Sequence, residues 1–160
     1  MKIRQVILSI IIASFSIIFA CSCGNKYDYE HSIKIQDAKW TYNDTLFFQF
    51  ETTDSLALYE IELSLRNTTD YQYSNLFMFV TAFYPTYTYS RDTVEVFLAK
   101  RDGEWIGKGI GFYKNLDVLF AKNARFRNNG THVIAINHGM RNDTIVGIAE
   151  VGIKIKKCTN

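Results

Sequence analysis

Three histidines are the first residues of this sequence that could do acid–base or metal chemistry: His31, His132 and His138. His132 and His138 are six residues apart, so on one strand they would share a face about 20 Å apart. A single metal ion could bind both only if the strand ended between them, at Asn137. Lone histidines on strands are more often surface residues or buried neutral ones. The spacing therefore favours structural roles.

Two carboxylates, Asp102 and Glu104, are the candidates for an acid pair, in the stretch "KRDGEWIG". Asp-Gly at this place is typical of a tight reversal between two strands, with Trp105 returning to the core. No serine stands in a nucleophile-elbow motif, and no glycine-rich phosphate loop follows a strand. We expect no enzyme, no catalytic residue, no cofactor, no metal and no small-molecule substrate.

The cysteines near the start of the chain indicate lipid attachment. In "SIIFACSCGNKYDYE", apolar residues give way to polar ones across Cys21 and Cys23, and no second pair stands at metal-ligand spacing. Lys2 and Arg4 precede about fifteen uncharged residues, too few for a spanning helix but typical of a secretory signal. Residues 1–20 thus resemble a bacterial lipoprotein signal peptide. We expect Cys21 to receive the lipid, with Cys23 as the competing acceptor.

Export changes how the remaining thiols are interpreted. An oxidising compartment permits Cys23 to pair with Cys158, two residues from the end of the chain. A loop of this length gives a disulfide about 4 to 5 kcal/mol in the chain-entropy model. The alternative is two free thiols near the chain ends.

The charge of the exported chain is balanced. Removal of Lys2 and Arg4 with the signal leaves 16 basic and 16 acidic residues, and no basic run or stripe remains. This argues against nucleic acid as a partner and against electrostatic binding to a lipid surface.

Most of the chain after a short polar linker, residues 21–31, alternates with a period of two. "YEIELSLRN" places Tyr59, Ile61, Leu63 and Leu65 on one face. Further runs of this kind are "TLFFQFE", "NLFMFVTAFY", "DTVEVFLA", "THVIAIN" and "VGIKIKK", separated by turn residues. Only "NLDVLFAKNARF" could hold a helical turn. The sequence predicts an all-β fold, an antiparallel β-sandwich or jelly roll, as a single domain over residues 32–160.

Tyrosines cluster between two of these runs, in "FYPTYTYS". Tyr84, Tyr87 and Tyr89 form a candidate interaction surface, because Tyr87 and Tyr89 would share a face on a strand. An exposed tyrosine pair can stack against sugars or proteins. The alternative is an ordinary aromatic hairpin.

Three longer stretches resemble the GldH family of gliding-motility lipoproteins: "LSLRNTTDYQYSNLFMFV", "DTVEVFLAKRDGEWIGKGIGF" and "INHGMRNDTIVGIAEVGIKI". They occur in the family's order and cover most of the chain from Trp40 to Ile155. The resemblance implies an exported lipoprotein needed for surface gliding, which works with a secretion machinery that places adhesins on the cell surface. It implies no catalytic residue, cofactor or ligand.

Together these observations predict a lipoprotein of the cell envelope, anchored by lipid in the outer membrane. We expect a non-catalytic assembly or interaction component of the gliding-motility and secretion apparatus. Its partners would be the membrane, through the lipid anchor, and other envelope proteins of that apparatus. The alternative is a glycan- or protein-binding sandwich displayed on the cell surface, with the tyrosine cluster as its site.

Overall fold

The computed structural model describes residues 27–158, which form two antiparallel four-stranded sheets and a short two-stranded one. The strands are β1 (Tyr29–Lys34), β2 (Lys39–Thr41), β3 (Leu46–Thr52), β4 (Tyr59–Thr68), β5 (Asn75–Phe83), β6 (Tyr89–Phe97), β7 (Tyr113–Ala124), β8 (Gly130–His138), β9 (Thr144–Val146) and β10 (Ile148–Lys157). One turn of 3₁₀ helix, Gln36–Ala38, joins β1 to β2. Within residues 27–158 there is no α-helix.

The strand order is that of a jelly roll. One sheet has the order β1-β10-β4-β7, the other has β3-β8-β5-β6, and β2 pairs with β9. The first strand thus pairs with the last, the second with the ninth, and so on to β5 and β6. The chain is therefore one long antiparallel ribbon that reverses between β5 and β6 and is rolled into two layers. The predicted all-β antiparallel sandwich is confirmed.

The core lies between the inward faces of the two large sheets. β4 buries alternate residues, among them Ile61, Leu63 and Leu65, as its pattern predicts. From the other sheet, β3 contributes Phe48 and Phe50 to the same core. Each fully buried side chain of this size stabilises the fold by roughly 1.5 to 3 kcal/mol.

The helical interpretation of "NLDVLFAKNARF" is wrong. These residues lie mostly in β7, which pairs with β4 along its length, with Val118 opposite Leu63. The register shifts around Ile61, so that extra residues of β7 interrupt the strict alternation. The interruption, and not a change of secondary structure, produces the mixed pattern.

β1 begins at Tyr29, three residues before residue 32, where the sequence pattern places the start of the domain. β1 is an edge strand whose six residues all pair with β10, from Tyr29 opposite Ile155 to Lys34 opposite Glu150. Backbone hydrogen bonds hold such a strand, and they leave no signature in the side-chain pattern. The predicted signal peptide and both acceptor cysteines lie outside the described residues.

The connections between strands divide into two groups at opposite ends of the sandwich. One end, here the terminal end, holds Tyr27, Cys158 and the loops 53–58, 84–88 and 125–129. Its elements are joined by pairing of Lys157 with Tyr59 and of Tyr59 with Ala124. The other end, here the distal end, holds the connections 35–45, 69–74, 98–112 and 139–147.

Candidate functional site

His132 is a core residue of the terminal end. Its ring stacks on Phe50, with the two centroids 5.6 Å apart, and also contacts Phe126 and Tyr84. Its Nε2 lies 3.0 Å from Thr52 Oγ1 and 2.9 Å from the carbonyl oxygen of Asn128. The imidazole therefore ties the loop before β8 to the end of β3.

His138 lies at the other end of β8 and is completely buried. Its ring packs edge-on against Trp40, with centroids 5.5 Å apart, and against Tyr42. Burial lowers the pKa of His138; the carbonyls of Asp143 and Trp40 partly oppose this shift, although neither makes a well-formed hydrogen bond with the ring. The imidazole is thus a neutral core group.

The two histidines share the inward face of β8 but do not form a joint site, as their spacing predicts. Asp102 and Glu104 lie on an exposed turn instead of in a cleft. Asp102 Oδ1 accepts a hydrogen bond from the Glu104 amide, and Gly103 has the positive φ of 87° that the reversal requires. Trp105 returns to the sheet and packs, partly buried, against the core. Within residues 27–158, no three His, Cys, Asp or Glu side chains could hold a metal ion together.

The tyrosine cluster differs from the predicted strand pair. Tyr87 lies in the turn between β5 and β6, with a positive φ of 59° and a fully exposed side chain. Tyr89 opens β6 and contacts Phe83 across the hairpin, with ring centroids 6.1 Å apart. The expectation that Tyr87 and Tyr89 share a strand face is wrong, because Tyr87 belongs to the tight turn and β6 begins only at Tyr89. Tyr84 is half-buried, and its hydroxyl lies 2.8 Å from Ser90 Oγ.

Cys158 is partly exposed at the terminal end, with its Sγ 4.0 Å from Asn123 Oδ1. Cys23 lies outside the described residues. The Cys23–Cys158 disulfide stays a prediction, and so does lipid attachment at Cys21.

The distal end carries a groove of about 600 Å³ on the outer face of the β1-β10-β4-β7 sheet. The Arg66 guanidinium lies over the Tyr113 ring, 4.4 Å from its centroid, and its Nη1 is 3.8 Å from Glu150 Oε2. Stacking and ion pairing together hold Arg66 in one orientation. The groove therefore combines a fixed cation with an aromatic wall.

The floor of this groove is rigid because backbone segments approach one another closely. The Gly147 carbonyl accepts a hydrogen bond of 2.7 Å from the Thr68 amide, and the Gly147 amide bonds to Ala38. A Cβ on Gly147 would lie 2.7 Å from Tyr71 Cα, and its φ of 106° suits only glycine. Tyr71 is buried, donates its hydroxyl proton to the Asn75 carbonyl oxygen at 2.9 Å, and has its pKa raised by burial.

Apolar side chains stand exposed around the groove. Phe112 and Val146 line it, and both are about half exposed. Ile110, in the same connection as Phe112, is fully exposed. The Thr69 amide donates a hydrogen bond to the Phe112 carbonyl oxygen and so fixes this connection against the end of β4. Exposed apolar side chains grouped on one surface are typical of protein-binding sites.

Sequence reasoning missed this surface. The signal that could have revealed it is "IGKGIGF", where glycines separate apolar residues that have no strand pattern to bury them. The family resemblance covered only part of this surface, since Arg66, Asn67 and Tyr71 stand in the first matching stretch.

Residues 27–155 match the family model described as GldH lipoprotein. The chain belongs to the GldH lipoprotein family. The described domain thus coincides almost entirely with the GldH region. Membership makes the protein a lipoprotein of the gliding-motility machinery, anchored to a membrane of the cell envelope.

Two GldH relatives match nearly the whole chain. A gliding motility lipoprotein GldH homolog from Christiangramia forsetii is 31% identical over 159 residues, covering 95% of this chain and 97% of the relative. The gliding motility lipoprotein GldH of Flavobacterium johnsoniae is 23% identical over 155 residues, covering 92% of this chain and 94% of the relative. Neither name records an enzymatic activity.

Solved structures give only distant similarity to the GldH chain. The mosquito-larvicidal Cry4Aa toxin from Bacillus thuringiensis aligns with a TM-score of 0.38 and 10% identity, over 82% of this chain and 24% of the toxin. The VP2 subviral particle of infectious bursal disease virus aligns with a TM-score of 0.34 and 12% identity, over 81% of this chain and 33% of the viral chain. The chain thus spans about a quarter and a third of those proteins. No helix within residues 27–158 has the length and apolar character to cross a bilayer.

Proposed function

We propose that this protein is a non-catalytic assembly component of the gliding-motility apparatus and its associated secretion machinery, anchored in the outer membrane. Its distal end docks another envelope protein of that apparatus. The observation that carries the proposal is the groove with its exposed apolar rim, which lies at the end of the sandwich opposite the start of β1.

The two ends of the sandwich suit different tasks. β1 enters at the terminal end, so the lipid anchor holds that end close to the membrane. Strands of about ten residues at roughly 3.3 Å per residue place the distal end about 30 Å further away. A partner that cannot approach the bilayer closely could therefore still reach Phe112 and Val146.

The groove is also suited to specific recognition. Arg66 is oriented by Tyr113 and Glu150 before any partner arrives, so little side-chain freedom is lost on binding. Interface energy concentrates in a few aromatic, aliphatic and arginine side chains, worth about 2 kcal/mol or more each. Phe112, Val146 and Arg66 are the side chains that meet this description.

The test is complementation of a deletion strain, scored for colony spreading, secretion of surface adhesins and recovery of cross-linked envelope partners. The Phe112→Ala/Val146→Ala double variant should lose partner recovery and spreading at normal protein levels. Phe47→Ala/Leu56→Ala, which truncates exposed apolar side chains that line neither the groove nor any other described cavity, is the matched control and should behave as wild type. Full spreading, secretion and partner recovery in the first double variant would contradict the proposed surface.

The non-catalytic part of the proposal is tested separately. Asp102→Ala and Glu104→Ala change exposed turn residues and should cost little stability, so both variants should complement the deletion fully. Either variant, if it accumulated and was exported normally but failed to support spreading, would indicate chemistry at that turn.

The glycan-binding alternative rests on Tyr87, whose ring is fully exposed. The terminal end would then have to face outward from the cell. Protease treatment of intact cells distinguishes the two functions, because a surface glycan binder should be cut while an assembly component on the periplasmic side should be protected.

A further inference from the structure

The sandwich is closed along one side and open along the other. On the closed side β1 meets β3 through ring contacts, with Tyr29 and Phe50 centroids 5.4 Å apart and His31 packed against Phe48. On the open side, between the edges of β6 and β7, a cavity of about 630 Å³ lies between the sheets. Sites for small molecules commonly have volumes of about 300 to 1,000 Å³.

Hydrocarbon groups form most of the wall of this cavity. Ala82, Val94, Val118 and Phe120 face it and are only partly buried, although they pack against the main core. Apolar side chains at this depth are normally covered in a soluble sandwich. Asp92 and Glu95 lie along the β6 edge of the opening, so an anionic group would not be bound there.

A polar cleft lies next to this cavity at the terminal end. This cleft, about 360 Å³, is lined by Tyr84, Thr88, Arg125, Arg127 and Asn128. Tyr84 and Arg125 line both spaces, so the apolar cavity and the polar cleft lie side by side. Within residues 27–158, no carboxylate lies within ion-pair distance of either arginine. Two unpaired guanidinium groups with neighbouring hydroxyl and amide groups suit a phosphate.

Lipid attachment at Cys21, the predicted acceptor, would hold the cleft near the membrane. Six residue steps separate Cys21 from Tyr27 at the terminal end, and a fully extended chain of that length spans at most about 20 Å. Fully exposed Tyr87 and largely exposed Tyr89 stand at the same end, and tyrosine is enriched where proteins meet lipid headgroups.

We propose that this domain binds one phospholipid, with an acyl chain between β6 and β7 and its phosphate against Arg125 and Arg127. The inference rests on the membrane anchoring of the lipoprotein and is independent of distal-end docking. Two arginines suffice to bind one headgroup without forming a basic surface. Binding of a single phospholipid is therefore compatible with the balanced charge of the chain. The phosphate distinguishes this ligand from the protein's own acyl anchor, which carries none.

The experiment uses the full-length lipoprotein, purified in mild detergent and extracted with organic solvent. Extraction removes non-covalent lipid and leaves covalently attached acyl chains on the protein. We expect about one phospholipid per wild-type molecule. Delipidated protein is then titrated with short-chain phosphatidylglycerol, with the matching diacylglycerol, which lacks phosphate, and with glycerol phosphate, which lacks acyl chains. Only phosphatidylglycerol should bind tightly.

Variants test the two halves of the site separately. Arg125→Ala/Arg127→Ala should weaken phosphatidylglycerol binding about tenfold or more, because hydrogen bonds to charged groups contribute factors of that size. Arg101→Ala/Arg141→Ala, at exposed arginines of the distal end, is its matched control. Val118→Trp should abolish retention of phospholipid by filling the cavity, whereas Leu56→Trp at an exposed position should not.

Ala82→Leu is a smaller obstruction of the same cavity and replaces Val118→Trp if that variant fails to fold. Absence of extractable phospholipid from wild-type protein, together with no phosphatidylglycerol binding, would overturn the proposal. Normal retention in a folded cavity variant would overturn it too. Because these measurements use purified protein, they are unaffected by the outcome of the complementation experiment.

Discussion

His138→Phe should make the domain less sensitive to mild acid. In the folded chain the imidazole is buried against Trp40 and Tyr42, and burial lowers the pKa of His138 below its ordinary value of 6.5. The unfolded chain therefore takes up a proton at a higher pH than the folded chain does. Stability associated with this residue is complete above pH 6.5 and is lost as the pH falls towards the lowered pKa of the folded state.

The size of the effect follows from the two protonation states. Between about pH 7.5 and about pH 5.5, an imidazole with a pKa of about 6.5 becomes almost fully protonated in the unfolded chain. If the folded chain takes up no proton at His138 in that range, the free energy of unfolding falls by about 1.4 kcal/mol, which is the upper limit for one group. Phenylalanine does not titrate. It also leaves no partner unpaired, since neither nitrogen of His138 makes a hydrogen bond.

Urea unfolding of wild type and His138→Phe at both pH values measures the effect. The loss of stability on acidification should be smaller in the variant by up to about 1.4 kcal/mol. His31→Phe, at an exposed position, controls for the substitution itself. Equal losses in wild type and His138→Phe would refute the assignment of His138 as a buried neutral group.

Three further predictions concern single positions. Gly147→Ala should lower the free energy of unfolding by more than about 2 kcal/mol, because the new Cβ would lie 2.7 Å from the backbone of Tyr71. Gly103 also has a positive φ, but open space surrounds it, so Gly103→Ala should cost only about 1 kcal/mol in the same denaturation assay. Trp40→Ala should cost about 3 to 5 kcal/mol and Trp105→Ala less, since the first ring is fully buried and the second only partly, as thermal unfolding would show. Cys21→Ala should leave an unacylated precursor in cells labelled with radioactive fatty acid. Persisting label would assign the lipid to the other cysteine of the linker.

The strands could be predicted where one face alone is buried. In β3, and in β4 as far as Asn67, buried residues alternate with more exposed ones as the sequence pattern predicts. The pattern failed at β7, where extra residues shift the register, and at β1, whose pairing uses backbone groups. The pairing of distant strands could not be derived, because alternation identifies a buried face without saying which strand lies beside it.

The candidate sites could be predicted only where local chemistry decides them. Asp-Gly predicted the reversal at Gly103, and the spacing of His132 and His138 predicted that they lie apart on one strand. The docking groove joins Lys34, Arg66 and Val146 from distant parts of the chain, so only the fold brings them together. The phosphate cleft was hidden for a different reason, since "ARFR" is too short a basic stretch to stand out in a chain of balanced charge.

If the lipid is attached at Cys21, as the sequence predicts, tension on the anchor enters the domain through β1. This strand runs from the terminal end towards the distal end, antiparallel to β10 through all six of its residues. If a partner pulls on the distal end, the load acts along β1, so its hydrogen bonds to β10 are sheared together instead of being opened one after another. β10 is in turn flanked by β4, so the loaded strand is attached to the middle of a sheet. The first-to-last pairing of the ribbon therefore makes the attachment point of this motility lipoprotein a mechanically resistant part of its fold.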